Sequence, residues 1–368
     1  MAAETLLLYG PSGSYKTANL GFAALWLYRR TGLRTRLISA DGGGWKPLQP
    51  LIDAGIVDAW QISTLDHILP VTRKLSKGMW PTVREVKDAK TGKIEKAVVL
   101  APTTSEQWAR IGAYAIEGVT SVGDSWMKNL TAQGRAISQD VVALWNETTG
   151  MAAPGQTEEV EKFGAPSQSH YGFVQNEMPI ILGAFRSLPV AWNWWTAHEA
   201  RGEDDSLGMK TTVLGPSIAG KKAIGKLPAW VGGMIHADTV SVDVSAQGGQ
   251  PARKESRVRY YFQNHPEPDL PGKSWPAKSR LAAQAIPALL KRFPGGWFEP
   301  TTEGGLDLYL QAEMELQGSL TERFKAEVEE VEARLKEATA AAAATSATSA
   351  SGSASAAKSE LVASGGGK

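Results

Sequence analysis

Gly10-Pro11-Ser12-Gly13-Ser14-Tyr15-Lys16-Thr17 is the stretch that decides the fold class. It follows an apolar run, Thr5-Leu6-Leu7-Leu8-Tyr9, with the length of a buried strand, and it precedes Ala18 to Tyr28, whose alanines, leucines and aromatics predict a buried helix. Strand, glycine-rich turn, Lys-Thr and helix, in that order, is the setting in which a phosphate-binding loop works. Backbone N–H groups of such a turn and of the helix start converge on an anion. In this reading Lys16 reaches the β- and γ-phosphates of a nucleotide and the Thr17 hydroxyl holds Mg²⁺. The pattern G-x-x-x-x-G-K-[ST] here carries Tyr15 in place of the second glycine. A tyrosine fits there if its φ is already helical and its ring points outward. The structural alternative is an ordinary Gly/Ser turn before a helix, with nothing bound.

The chain has 368 residues, enough for one large domain with appendages or for two domains. A formal net charge of +1 creates no global field towards nucleic acid or membrane, so any basic surface must be local. The absence of cysteine excludes disulfides and thiolate metal sites. The first strand starts by about residue 5, which leaves no room for a signal peptide. No apolar run approaches the roughly 20 residues of a membrane span. These features predict a soluble, cytoplasmic protein without a membrane partner.

Beyond the loop, Arg29-Arg30-Thr31-Gly32 closes the first helix, and Arg34 to Ser39 predicts a second strand. That strand runs into Asp41 and then Gly42 to Gly44. A carboxylate at a strand end beside a phosphate loop can polarise an attacking water, and Asp41 is the candidate; an Asp-Gly turn is the alternative. Ile56 to Ile62 predicts a strand, Leu65 to Leu75 a helix, and residues 81–100 a charged β-hairpin insertion. The hairpin lysines either face solvent or touch a nucleic-acid backbone. Tyr114-Ala115-Ile116-Glu117 ends another apolar strand in a carboxylate, the Walker B arrangement that orders Mg²⁺, with Asp124 as a rival. Tyr171 to Leu188 predicts a helix, and Val190 to Glu199 a strand that ends at His198.

Helix followed by strand points to a parallel α/β sheet, where ligands bind at the carboxyl ends of strands. Asp41, Glu117 and His198 fall at such ends, as Gly10 does. Glu199 to Lys210 reads as a mobile loop, and Gly220 to Lys226 as a Lys/Gly-rich loop that either meets DNA or is solvated. Trp192, Trp194 and Trp195 are candidates for core packing or for base stacking. Val240 to Val244 and Arg257 to Phe262 alternate like paired strands, with Arg253, Lys254, Arg257 and Arg259 as a basic cluster. Lys278-Ser279-Arg280 opens a helix towards Phe293.

The chain resembles the phage-encoded RecA-type P-loop nucleotide-binding proteins, AAA-like ATPases that include single-strand annealing and recombination ATPases. The resemblance rests on Gly10 to Thr17, on Glu117 with Thr120-Ser121, and on Thr196-Ala197-His198-Glu199. It is extended by Gly220 to Lys226 and Lys278-Ser279-Arg280, and it covers roughly residues 4 to 290. It implies a RecA-like core with a mainly parallel sheet flanked by helices, binding ATP with Mg²⁺. It further implies Asp41 as the catalytic carboxylate, His198 as the γ-phosphate sensor, and Thr17 with Glu117 as metal-site residues. Single-stranded DNA and further copies of the chain, in a ring or filament, are the implied partners, in phage DNA recombination or replication within the host cytoplasm. Tyr15 for Gly, Glu117 for Asp and Asp41 for Glu depart from the family pattern.

The expected organisation is an ATPase domain over 1–295, a helical extension over 296–338 and a disordered Ala/Ser/Gly-rich tail over 339–368. Leu306 to Ala338 predicts a long exposed helix. Two other functions fit the same motifs: a nucleotide-binding switch or loader with little hydrolysis, favoured by the three departures, and a P-loop kinase. A kinase commonly adds an arginine-rich lid, and Glu199 to Lys210 carries only Arg201.

Overall fold

The computed structural model describes residues 3–41, 45–62, 68–87, 94–132, 168–204, 211–217, 230–245, 253–281, 285–301, 304–319, 322, 325–326, 328–334 and 336–337. The glycines 42–44, the hairpin turn 88–93, the loop 220–226 and the tail 339–368 lie outside these residues.

In chain order the elements are β1 (Glu4–Gly10), α1 (Lys16–Thr31), β2 (Arg34–Ser39), α2 (Gln49–Asp53), β3 (Val57–Gln61), α3 (Ile68–Ser76), β4 (Met79–Lys87) and β5 (Ile94–Pro102). Then come α4 (Ser105–Trp108), β6 (Ile111–Glu117), α5 (Val119–Ala132), α6 (Gln168–Arg186), β7 (Trp192–Asp204) and β8 (Thr211–Pro216). The last are β9 (Gly233–Val244), β10 (Arg253–Tyr261), β11 (His265–Pro266), β12 (Ser274–Trp275), α7 (Ile286–Arg292) and β13 (Trp297–Phe298). The main sheet has the order β13-β10-β9-β1-β7-β6-β2-β3, with β8 paired to β7. From β9 to β3 every neighbouring pair is parallel; β13–β10, β10–β9 and β8–β7 are antiparallel. The protein is therefore α/β, with a mostly parallel mixed sheet flanked by helices.

The pleat of β1 divides the core. Leu7 and Tyr9 face one apolar cluster, built with Trp126 of α5 and Phe173, Val174 and Phe185 of α6. Leu6 and Leu8 face the other, built with Leu20, Ala24 and Leu27 of α1 and with Tyr260, Tyr309 and Leu310. Burial on both faces is why β1 runs apolar from Leu6 to Tyr9 rather than alternating. Each fully buried large side chain contributes roughly 1.5–3 kcal/mol. Trp194 and Trp195 are fully buried in these clusters, so they are packing residues and not a base-stacking surface.

Several readings are corrected here. Leu306, Tyr309, Leu310 and Glu313 are buried, so the helix that begins at residue 306 packs on the core over its first turns instead of being exposed. Arg280 fixes it there: its guanidinium bonds Glu313 Oε2 at 2.6 and 2.9 Å, stacks over Trp192 at 4.3 Å, and reaches Glu4 at 3.0 Å. Glu313 and Glu315 both lie on this helix, and sequence spacing does not say which of them meets Arg280. The segment expected to be a loop from Glu199 is strand as far as Asp204, because it pairs with β8. Lys278 opens no helix but bridges to Met234, and the helix starts only at Ile286. On β10, Arg257 and Arg259 pair with Glu299, and Arg253 and Arg257 with Glu255, so these arginines form no free positive cluster. The 81–100 hairpin forms as β4 and β5, a separate two-stranded sheet.

Candidate functional site

Register brings the predicted strand ends to one edge. Gly10 lies opposite His198 across β1 and β7, and Ser39 lies opposite Glu117 across β2 and β6. Strand β7 therefore stands between the strand that feeds the glycine-rich loop and the strand that ends in Glu117. A cleft of about 590 Å³ opens above them, lined by Ser12 to Ala18, Asp41, Pro47, Glu117, Thr196 and His198. Asp41, Glu117 and His198 thus meet at the loop. Asp124, the rival to Glu117, is exposed on α5 and does not line the cleft.

The loop is shaped by its neighbours. A Cβ on Gly10 would fall 2.3 Å from the Ala237 carbonyl oxygen of β9, so the close approach of β9 requires glycine there. Tyr15 adopts φ 58° and ψ 21°, the left-handed region, so the condition of a right-handed helical φ is not met. Among the described residues it is the one non-glycine with positive φ, and the conformation costs an L-residue roughly 1–2 kcal/mol. The ring does point outward, 64 % exposed. The strain is held by contacts from outside the loop. Asn19 donates both its backbone N–H and its side-chain amide to the Tyr15 carbonyl, each at 3.0 Å, and accepts from the Leu306 N–H at 2.8 Å. The Tyr260 hydroxyl donates to the Ser14 carbonyl. No side chain caps the N-terminus of α1, which leaves its first N–H groups for the cleft.

Lys16 folds back on the loop, donating to the carbonyls of Gly10 (3.0 Å) and Pro11 (2.6 Å) and to Ser14 Oγ (3.2 Å). Burial lowers its ammonium from 10.5 to about 8, against the charges of Asp41, Glu199 and Glu117. A phosphate would offer this cation what the loop carbonyls supply only weakly, a full negative charge. Thr17 donates its hydroxyl to Glu117 Oε1, while Glu117 Oε2 is buried with no hydrogen-bond partner among the described residues. Burial pushes the Glu117 carboxyl up from its ordinary range; the hydroxyls of Thr17 and Ser39 oppose that, and the Asp41 charge adds to it. A buried carboxylate oxygen without a donor, next to a threonine hydroxyl, fits a hard cation such as Mg²⁺, which prefers oxygen ligands. Among the described residues no cluster of three or more acidic or histidine side chains forms a self-sufficient metal cage.

Asp41 accepts a hydrogen bond from the Ser121 hydroxyl at the start of α5. Its carboxylate lies over Gly118, where a Cβ would approach it to 2.8 Å. Thr120 donates to the Ser217 carbonyl at 2.6 Å and accepts from the His198 backbone N–H at 2.9 Å. Thr196 accepts from the Gly118 N–H at 2.9 Å. Thr120, Ser121, Gly118 and Thr196 therefore position the three candidates. Of these, Thr120 and Ser121 carried a signal in the sequence as part of the motif after Glu117, and Thr196 as part of Thr196-Ala197-His198-Glu199; Gly118 carried none. No helix among the described residues is long and apolar enough to cross a membrane. No protein-family model matches the chain, and a search of the curated proteins finds no match either.

Proposed function

We propose that the chain is a RecA-like P-loop ATPase that binds ATP with Mg²⁺ and acts on single-stranded DNA. The observation that carries this reading is the convergence of Lys16, Thr17, Glu117, Asp41 and His198 in one cleft at the carboxyl edge of the sheet. The interposed strand β7 supports it further, because it sets His198 between the loop that follows Gly10 and the strand that ends in Glu117.

In the proposed mechanism Lys16 exchanges the Gly10 and Pro11 carbonyls for the β- and γ-phosphates. Thr17 and Glu117 Oε2 are the residues that would hold Mg²⁺, which when bound neutralises phosphate charge. Asp41, oriented by Ser121, takes hydrogen-bond donation from a water aimed at the γ-phosphorus. Attack forms the new P–O bond, the β–γ bridge breaks towards ADP, and the water's proton passes to Asp41 or to the departing phosphate. His198, whose backbone is tied to Thr120 and Ser217, answers loss of the γ-phosphate and passes it to the chain beyond residue 217.

The DNA part rests on the resemblance and on the lysine-bearing segments 88–93 and 220–226. Assembly as a ring or filament rests on the resemblance alone. A second reading, a nucleotide switch with slow turnover, is favoured by the strained Tyr15 and the self-bonded Lys16. The kinase reading loses ground because Arg201 pairs with Glu267 (3.2 Å) and Asp269 (3.9 Å). Phosphate release by wild type and Lys16→Ala, each with and without single-stranded DNA, separates these. Turnover stimulated by DNA and lost in the variant supports the ATPase. Nucleotide binding without turnover supports the switch, and no binding overturns both.

A further inference from the structure

We infer that a second cleft, on the outer side of Tyr15, takes the nucleobase of the bound nucleoside triphosphate and holds it by stacking. This rests on the nucleotide reading above and deepens it. The cleft measures about 600 Å³ and lies between Tyr15, Ala18 and Phe22 on the α1 side and Val258, Glu299 and Pro300 opposite. That size suits a small-molecule subsite.

Continuity fixes what enters it. Tyr15 and Ala18 line both clefts, whereas Asp41, Glu117 and His198 line only the phosphate cleft. The terminal phosphate belongs with the latter groups, so the nucleoside leaves over Tyr15 and Ala18. The lining there is mainly apolar, with an outward tyrosine ring and a half-buried phenylalanine to face a flat heterocycle. This accounts for tyrosine at a left-handed position. Glycine would satisfy the backbone, but only a side chain adds an aromatic face to the wall between the clefts.

The charged and amide groups at the rim are already committed. Arg257 pairs with Glu299 and Glu255, and the Asn19 amide bridges Tyr15 and Leu306. Such a slot grips a base without reading its hydrogen-bonding edge, so ATP and GTP are expected to bind alike.

The test compares equilibrium binding of Mg·ATP, Mg·GTP and Mg·tripolyphosphate to wild type, Val258→Trp and Pro300→Trp. Both variants fill the cleft from the side away from the phosphate loop, and having two guards against one failing to fold. The expected result is that wild type prefers ATP over tripolyphosphate by about tenfold, the typical effect of one stacked base. The variants lose that preference and keep their tripolyphosphate affinity. An unchanged preference in a folded variant overturns the subsite while leaving the nucleotide reading intact, as does wild-type ATP binding no tighter than tripolyphosphate. A strong preference for one base overturns the stacking-only slot. If wild type binds none of the three, the nucleotide reading falls and the subsite with it.

Discussion

Two groups of buried polar side chains flank the end of β1, and they differ in whether they are finished. In the cleft above Gly10, Lys16 is bonded to its own loop and Glu117 Oε2 has no partner among the described residues. Below it, His236 of β9 bonds Glu199 at 2.9 Å through Nε2 and His265 at 2.6 Å through Nδ1. Its ring stacks on Trp275, with centroids 4.5 Å apart, and packs on Tyr9. The next carboxylate outward, Glu267, accepts from the Trp275 indole at 2.6 Å and pairs with Arg201. The closed group is satisfied within the chain; the open one is not. An unsatisfied buried carboxylate costs stability and is tolerated where a ligand completes it. A satisfied network holds structure.

Substitutions should therefore separate the two groups. The largest effect on stability is expected from His236→Ala, which strands Glu199 and His265 and leaves a gap between aromatic rings. Chemical denaturation should show a loss of about 3 kcal/mol, with ATP affinity of the folded protein unchanged. Equal loss of affinity would erase the distinction. Glu117→Gln should do the opposite, raising stability at neutral pH by about 1 kcal/mol while abolishing the Mg²⁺ dependence of nucleotide binding.

The pH dependences of the two groups also run in opposite directions. The folded pKa of Glu117 is raised, so its cost is present at neutral pH and relieved on acidification. His265 is lowered from 6.5 to about 4, by burial first and then by His236. It therefore draws stability down as pH falls from 6.5 towards 4, because the unfolded chain takes up the proton first. Thermal melts of wild type and the two variants across that range check both signs. The smallest effect is expected from Tyr15→Gly. Relief of the left-handed strain, less the entropy gained by the unfolded chain, leaves a net gain of about 1 kcal/mol or less. A loss of stability would mean that the ring packs in a way its exposure does not suggest.

The local parts of this arrangement were legible in the sequence. Gly10, Lys16 and Thr17 are separated by fixed short spacings, and Glu117 and His198 end apolar runs, so strand length alone put them on one edge. Asp41 was legible for the same reason, and Ser121 as part of the motif after Glu117, but the contact between them was not. Ser121 and Gly118 meet it across β2 and β6, a pairing that no short spacing encodes. The sequence left the backbone state of Tyr15 open because Asn19, Tyr260 and Leu306 impose it, two of them from more than 240 positions away. Long-range charge pairing hid the rest. Glu299 pairs with Arg257 and Arg259 of β10, and Glu313 meets Arg280 inside the core. Composition counts such residues as surface until their partners are known.

The most direct test of the open cleft is a calorimetric titration of Mg·ATP into wild type and Lys16→Ala at neutral pH. The account predicts saturable binding of one nucleotide per chain, weakened about 100-fold or more in the variant, as expected for loss of charge-assisted bonds to phosphate. Wild type that shows no saturable binding, or a variant that binds as tightly as wild type, would contradict it.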